Sequence, residues 1–271
     1  MPLAETDMLL VIAGFVLLML GGEFVVQGAV TIANRLRVPP LLVGFTVVAI
    51  GTSLPELAVA LEAVGNDTPD IAVGGVLGSN VANVMLVLGT AAVLGAASDP
   101  GPGVRRDAIA VAVATAILLA TVLIGKITSQ FGVLMLLGLA AYYTYSYLTS
   151  KAEGGDVEDS KSWLPENVLL AIPTTAVGGY MIWTGAGMLV EGATGLAIGY
   201  GISESVIGLS VVALGTSLPE LAVTLVAGLR GQGGVAVGNI LGSNVINILG
   251  ILGLASAYAG GIIIAPEFAG R

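Results

Sequence analysis

Cysteine and histidine are both absent from this 271-residue sequence, and charged residues make up only 10% of it. Without these side chains the protein cannot form disulfides, thiolate or histidine metal sites, or histidine proton relays. The ligands that remain are oxygen atoms of carboxylates, hydroxyls, amides and backbone carbonyls, which suit hard cations such as Na⁺, Ca²⁺ and Mg²⁺. The small number of basic residues and the net charge of −9 argue against nucleic-acid binding.

Hydrophobic residues dominate what is present, at 56% of the chain and a mean hydropathy of +0.99. Soluble domains usually carry about 25% charged residues, whereas here one apolar run long enough to cross a bilayer follows another. The fold class is therefore predicted to be an all-α polytopic membrane protein, with the lipid bilayer as its partner. The predicted spans are Met8–Ala33, Leu41–Val64, Ile71–Gly95, Val104–Ile124, Ile127–Leu148, Val168–Leu196, Val206–Leu229 and Val235–Tyr258.

A polar stretch divides the chain into two halves. We predict a first half over residues 1–149, a hydrophilic linker over 150–164 and a second half over 165–271. If the spans alternate in direction, seven basic residues fall on one side of the membrane and two on the other: Arg35, Arg37, Arg105, Arg106, Lys151, Lys161 and Arg230 against Lys126 and Arg271. The positive-inside rule then places the linker in the cytoplasm and the N-terminus outside the cell membrane. The acidic N-terminus has no basic region, so no cleaved signal peptide is predicted.

One segment occurs twice, and it defines the architecture. Gly-Thr-Ser-Leu-Pro-Glu begins at Gly51 and again at Gly215, and between 44–89 and 208–253 there are 26 identities in 46 aligned positions. Each copy is followed by Gly-Ser-Asn-Val-x-Asn, beginning at Gly78 and Gly242. Because the first repeat contains five spans, the second enters the membrane inverted, and inverted repeats place their signature segments around a shared midplane site.

The duplicated segment concentrates cation ligands at a proline. Pro55 has no N–H and crowds the carbonyl four residues before it, so the helix is expected to open and leave the carbonyls near Ala49, Gly51 and Thr52 without helical partners. Thr52 and Glu56 are four residues apart and share a helix face. An acidic residue within a span costs about 2.5–3.5 kcal/mol on insertion scales, and a bound cation would offset that cost. Pro219 creates the same arrangement around Ala213, Gly215, Thr216 and Glu220.

Each Gly-Ser-Asn segment adds a hydroxyl and an amide. Ser79 and Asn83 are four residues apart, as are Ser243 and Asn247, so each pair can face the glutamates. Helix–helix contact is the alternative role, since Ser and Asn bond across membrane helices; their duplication beside two glutamates favours ligation. Asn80 and Asn244 lie about 100° away on the helix and are predicted to be packing residues.

These motifs resemble the α-repeats of the sodium/calcium exchanger branch of the cation/Ca²⁺ antiporter superfamily. The resemblance implies that Glu56 and Glu220 bind Ca²⁺ together with the backbone carbonyls of Thr52 and Thr216. It also implies Na⁺ sites on either side, with Asn83 and Asn247 near the middle. One Na⁺ site would use Ala49, Ser53 and Ser243, and the other Ala213, Ser217 and Ser79.

The resemblance implies antiport of Na⁺ against Ca²⁺ by alternating access, with no cofactor. Related proteins have ten spans, and the eight predicted here imply either a fragment or a shortened member that needs a partner. Some relatives carry Asp at the position of Asn247, so this chain would have two site carboxylates and a weaker case for K⁺ co-transport. Two other activities remain open, H⁺-coupled antiport and cation binding without transport. The spans contain no catalytic dyad or HExxH motif, so no enzymatic activity is predicted.

Overall fold

A computed structural model describes residues 2–152, 162–201 and 215–269, and these ranges are almost entirely helical. The helices are α1 (Pro2–Leu36), α2 (Pro40–Thr52), α3 (Leu54–Gly65), α4 (Pro69–Val93), α5 (Val104–Ile124), α6 (Ser129–Ala152), α7 (Val168–Gly199), α8 (Leu218–Leu229) and α9 (Gly233–Tyr258). The remaining elements are strands β1 (Lys126–Thr128) and β2 (Gly261–Ile263) and a 3₁₀ turn (Pro266–Ala269).

The all-α membrane fold is confirmed in these ranges. Six helices, α1, α4, α5, α6, α7 and α9, are long and apolar enough to cross a bilayer, and the number is seven if the bent pair α2–α3 is counted as one span. The predicted span Val206–Leu229 is described only from Gly215 onward, where it contains the shorter apolar helix α8. Its residues 206–214, and residues 153–161 of the predicted linker, lie outside the described part of the chain.

The predicted start of the fifth span was wrong. Ile127 belongs to β1, which pairs antiparallel with β2 through Ile127 and Ile262, and helix α6 begins two residues later at Ser129. Gly125, at φ 82°, ends α5, and the β-branched residues after it favour an extended chain. The pairing joins segments that are far apart in sequence, so the local pattern could not reveal it.

Helices α1 and α7 form a closely packed pair along a row of glycines. The row repeats every seven residues, with Gly14 and Gly21 on α1 facing Gly185 and Gly178 on α7. A Cβ added at Gly14 would lie 2.6 Å from the carbonyl oxygen of Gly185, and one at Gly21 would lie 2.7 Å from that of Gly178. Small residues allow this backbone contact within a membrane, so α1 and α7 can act as one unit.

Helix α9 is the central element of the described structure. In its most apolar window 83% of the residues are buried, against 33% for α4, the equivalent helix of the first repeat. It packs against α2, α5, α6 and α8. At Gly238 and Gly242 an added Cβ would overlap the carbonyl oxygens of Leu41 and Phe45, so α2 and α9 meet backbone to backbone.

Candidate functional site

The site is built around two matching breaks in the helices. Helices α2 and α3 meet at 45°, and the joint is Ser53, at φ −87° and ψ 6°. Its counterpart Ser217, at φ −89° and ψ 1°, precedes α8. Because Pro55 has no N–H, the carbonyl of Gly51 lacks its usual helical donor. The predicted opening of the helix is therefore present.

The expectation for one carbonyl was wrong. Ala49 was predicted to lack a helical partner, but its oxygen accepts a hydrogen bond of 3.1 Å from the backbone N–H of Ser53. The turn before the break remains helical because the donor Ser53 comes before the proline. A carbonyl oxygen has two lone pairs, so the oxygen of Ala49 retains one for another partner.

The two glutamates are buried next to the breaks. Glu56 lies in the first turn of α3 with 6% exposure, and Glu220 lies in the first turn of α8 with 0%. Ser79 Oγ donates to Glu56 Oε1 at 3.1 Å, and Ser243 Oγ donates to Glu220 Oε1 at 3.2 Å. The predicted serines therefore lie beside the predicted carboxylates in both repeats, each at the same relative position.

One oxygen of each carboxylate has no partner among the described residues. Oε2 of Glu56 and Oε2 of Glu220 are both buried without a hydrogen bond. The two ion pairs found in the described ranges are Arg106–Asp107 and Arg230–Glu23, and neither involves these glutamates. A buried charge without a partner is strongly unfavourable, so the arrangement favours a bound cation.

Hydroxyl groups connect the two repeats across the site. Ser53 Oγ donates to Glu220 Oε1 at 3.4 Å. Ser79 and Ser217 lie 3.4 Å apart through their Oγ atoms, and Thr52 Oγ1 lies 3.3 Å from Ser243 Oγ. Each contact joins one repeat to the other, so the oxygen cluster exists only when both halves are packed together.

Two asparagines lie where the helix winding changes, and one of them, Asn247, contacts this cluster. Asn83 begins a π-helical segment in α4 (Asn83–Val87), and Asn247 lies in another within α9 (Ile246–Leu252). Asn247 Nδ2 donates to Ser79 Oγ at 3.2 Å. Both side chains have 0% exposure, and neither amide atom of Asn83 has a partner in the described structure. Such π-helical segments are frequent at functional sites.

The remaining predicted residues have different outcomes. Thr216 is half-buried next to Ser217. Ala213 lies outside the described residues, so its predicted role as a ligand stays a prediction. Asn80 and Asn244 form a structural link, as expected, because Asn80 Nδ2 donates to the backbone oxygen of Asn244 at 3.3 Å. Asn80 also accepts a bond of 3.1 Å from Asn247.

Among the described residues no group of three or more acidic side chains is close enough to hold a metal ion, so neutral oxygens would complete any coordination shell.

Sequence reasoning did not single out several polar residues, and Asn239 and Glu23 are two of them. Asn239 of α9 has 0% exposure, and its Oδ1 accepts a hydrogen bond of 3.0 Å from Thr52 Oγ1. Glu23, within α1, accepts bonds of 2.8 Å from Arg230 Nε and 3.0 Å from Trp163 Nε1. Asn239 stands where the first repeat has Gly75, and that break in the repeat was the available signal. For Glu23 the signal was an acidic residue inside an apolar span.

A small cavity lies where the α1–α7 pair meets the two breaks. It measures about 30 Å³ and its lining includes Thr52, Pro55 and Pro219 on the site side and Val25 and Ile182 on the pair. The α1–α7 pair therefore borders directly on the helices that hold the ligands.

The family model described as sodium/calcium exchanger protein matches residues 6–148 and 170–269. The sodium/calcium exchanger MaX1 of Methanosarcina acetivorans is 31% identical over 93% of this chain and 83% of its own length. The inner membrane protein YrbG of Escherichia coli is 34% identical over 94% of this chain and 80% of its own length. The solved structure of the sodium/calcium exchanger from Methanococcus jannaschii superposes with a TM-score of 0.81 at 28% identity, covering 98% of this chain and 85% of that one.

Proposed function

This chain belongs to the sodium/calcium exchanger protein family, and we propose that it exchanges Na⁺ for Ca²⁺ at the site between its two repeats. The observation that carries the proposal is the pair of buried carboxylates, Glu56 and Glu220, each with one oxygen that lacks a partner in the described structure. Hydroxyl and amide groups surround them, and hard cations prefer such oxygen ligands. Two carboxylates balance the charge of one Ca²⁺.

Competition for the negative charge of the same two carboxylates explains the coupling. In the proposed arrangement Ca²⁺ binds Glu56, Glu220 and the carbonyls of Thr52 and Thr216. The Na⁺ ions bind at the two ends, one set of ligands being Ala49, Ser53 and Ser243 and the other Ala213, Ser217 and Ser79, with Asn83 and Asn247 in the middle. Because these sets meet at the glutamates, occupancy by one ion type excludes the other.

The charge of the empty site determines when the site can switch from one side of the membrane to the other. With no cation bound, two carboxylates would face the low-dielectric interior, which is unfavourable, so the empty site resists exposure to the opposite side. Binding of Ca²⁺ or of Na⁺ neutralises enough of this negative charge for the site to switch sides. Exchange of three Na⁺ for one Ca²⁺ moves one net charge, worth about 2.3 kcal/mol per 100 mV.

The moving part in this proposal is the α1–α7 pair. Its glycine contacts hold the two helices together, and a small cavity lies between part of the pair and the ligand-bearing helices, beside Thr52, Pro55 and Pro219. Sliding of the pair across the breaks would open the site to one side at a time. In the cell membrane, the N-terminus would lie outside and the linker in the cytoplasm.

The test is ⁴⁵Ca²⁺ uptake into proteoliposomes that contain the purified chain. Vesicles loaded with Na⁺ are compared with K⁺-loaded vesicles and with vesicles that carry only a pH gradient. The proposal expects uptake with the outward Na⁺ gradient alone. Uptake driven only by the pH gradient would instead identify an H⁺-coupled antiporter, and Ca²⁺ binding without uptake under any gradient would show that the chain binds cations without exchanging them.

A further inference from the structure

Asn239 lies between α9 and the helix break of the first repeat. The flanking glycines at 238 and 242 bring α9 into backbone contact with α2. Its side chain is fully buried, and Oδ1 lies 3.0 Å from Thr52 Oγ1. Among the described residues its Nδ2 has no partner. A buried amide with an unpaired donor is unfavourable, which suggests that the residue serves the site rather than stability.

The hydroxyl of Thr52 has one hydrogen and four neighbours that could take it, one of which is the Glu220 carboxylate. The distances from Oγ1 are 3.0 Å to Asn239 Oδ1, 3.3 Å to Ser243 Oγ and 3.4 Å to the carbonyl oxygen of Ala49. Ser243 directs its own hydrogen to Glu220. Since a hydroxyl donates only once, the short bond to Asn239 leaves both the Ala49 oxygen and the Glu220 carboxylate without a donor from Thr52.

This allocation matters because the Ala49 carbonyl already accepts from the Ser53 N–H at 3.1 Å. Only one of its lone pairs remains. If Thr52 donated there, that oxygen would be fully occupied and could not bind a cation. The first repeat has Gly75 at the position equivalent to Asn239, so that position offers no amide to the other end of the site.

We propose that Asn239 is a positioning residue that makes the two ends of the cation site unequal. By accepting the Thr52 hydroxyl hydrogen, it keeps the Ala49 carbonyl free for Na⁺ at that end. The inference rests on the proposed function, because it takes Ala49 as a Na⁺ ligand. It concerns Na⁺ in particular, since the Ca²⁺ ligands proposed above are the glutamate carboxylates and the threonine carbonyl oxygens.

Equilibrium binding of ⁴⁵Ca²⁺ to the purified protein, displaced by increasing Na⁺, tests this without requiring transport. In Asn239→Ala the Na⁺ concentration that displaces half of the Ca²⁺ should rise about tenfold, as expected for one lost ligand, while the Ca²⁺ Kd changes less than about twofold. Thr52→Val in the same background should restore Na⁺ displacement, because it removes the hydroxyl that would occupy Ala49. Ser256→Ala is the control, because this buried residue of α9 donates to the backbone oxygens of Leu252 and Gly253 in its own helix.

A merely structural role predicts a different pattern. If Asn239→Ala weakens Na⁺ and Ca²⁺ equally, or if Thr52→Val fails to restore Na⁺ displacement, the inference is wrong. If the unmodified protein binds Ca²⁺ and Na⁺ competitively but shows no Na⁺-driven uptake, the exchange function fails and the role of Asn239 is still decided by the binding data. If the unmodified protein binds no Ca²⁺, both proposals fail.

Discussion

Ser53 donates a hydrogen bond of 3.4 Å to Glu220 Oε1, although 167 residues separate them in the chain. Ser53 is the joint between α2 and α3, and Glu220 lies in the first turn of α8. A residue at the break of one repeat therefore contacts the carboxylate of the other. The two halves share one site, so a change in either half is expected to affect the binding of the same ions.

Neutralising either site carboxylate should abolish Na⁺-driven Ca²⁺ uptake. Glu56→Gln and Glu220→Gln each remove one of the two negative charges that face the cation. Loss of a buried charge partner is worth about 3–5 kcal/mol, so the Ca²⁺ affinity should fall at least about 100-fold. Equilibrium ⁴⁵Ca²⁺ binding and uptake into proteoliposomes measure both effects.

Glu62→Gln provides the matched control, because Glu62 lies on the same helix as Glu56 and is exposed. It should leave binding and uptake close to those of the unmodified protein. Retained uptake in both site variants would show that the glutamates do not bind the transported ion.

Replacing the proline at the first break should weaken binding without unfolding the protein. Pro55→Ala restores a backbone N–H that can reach the Gly51 carbonyl, so α2 and α3 can straighten from their 45° bend. We expect the Ca²⁺ affinity to fall about tenfold, or roughly 1.4 kcal/mol, with a melting temperature equal to or above that of the unmodified protein.

Pro69→Ala is the corresponding control, because Pro69 starts α4 and lies at no break. Titration calorimetry with Ca²⁺ and thermal unfolding of both variants in detergent make the comparison. Equal Ca²⁺ affinities in the two variants would argue that the opening at Pro55 contributes no ligand.

The glycine row between α1 and α7 should be sensitive to a single methyl group. In Gly185→Ala the new Cβ would lie 2.8 Å from the carbonyl oxygen of Gly14 and 2.9 Å from the backbone nitrogen of Leu18. Backbone atoms cannot move aside, so the helices must separate, at a cost of about 1–3 kcal/mol. The expected result is a lower melting temperature in detergent and slower uptake.

Gly187→Ala tests whether the lower melting temperature expected for Gly185→Ala comes from helix contact and not from the loss of a glycine. Gly187 is exposed two residues further along α7, and nothing lies within 4 Å of its added Cβ. Alanine favours a helix by about 0.5–1 kcal/mol over glycine, so this variant should be as stable as the parent or more so. A similar loss in both variants would contradict the close-packed pair.

The contact between Glu23 and Arg230 should be worth little by itself. The ion pair joins α1 to the end of α8 at 2.8 Å, and the Arg230 side chain is 56% exposed. Exposed pairs contribute about 0.2–1 kcal/mol. A double-mutant cycle of Glu23→Gln and Arg230→Gln, followed by thermal unfolding, should give a coupling energy in that range. A coupling above about 2 kcal/mol would show that the pair is a major restraint on α1.

The site motifs were accessible from the sequence because the repeat isolates them. Two copies of the same six residues, followed each time by Gly-Ser-Asn, marked Glu56, Glu220, Ser79 and Ser243, and the structure pairs Ser79 with Glu56 and Ser243 with Glu220. Proline chemistry is local, so the opening at Pro55 was also predictable. The expectation for the Ala49 carbonyl was wrong because the proline removes only its own N–H, and Ser53 still donates.

The contacts between distant segments could not be derived in this way. The β1–β2 pair depends on Ile127 meeting Ile262, and neither segment carries a strong strand pattern by itself. Asn239 breaks the repeat in the sequence, but its role depends on the contact between α9 and α2. That contact places Asn239 Oδ1 3.0 Å from Thr52 Oγ1. Periodicity identifies a helix but does not say which helix it contacts.

The sequence by itself determined the membrane class, the repeats and the ligand types, because hydropathy, duplication and side-chain chemistry are properties of single residues and short segments. Only the tertiary structure decided which oxygen accepts the hydrogen bond from each hydroxyl group. That allocation depends on distances of about 3 Å between groups from opposite halves of the chain, such as Thr52 with Asn239 and Ser53 with Glu220. Those distances are set by backbone contact at glycines, and a residue-by-residue pattern does not contain them.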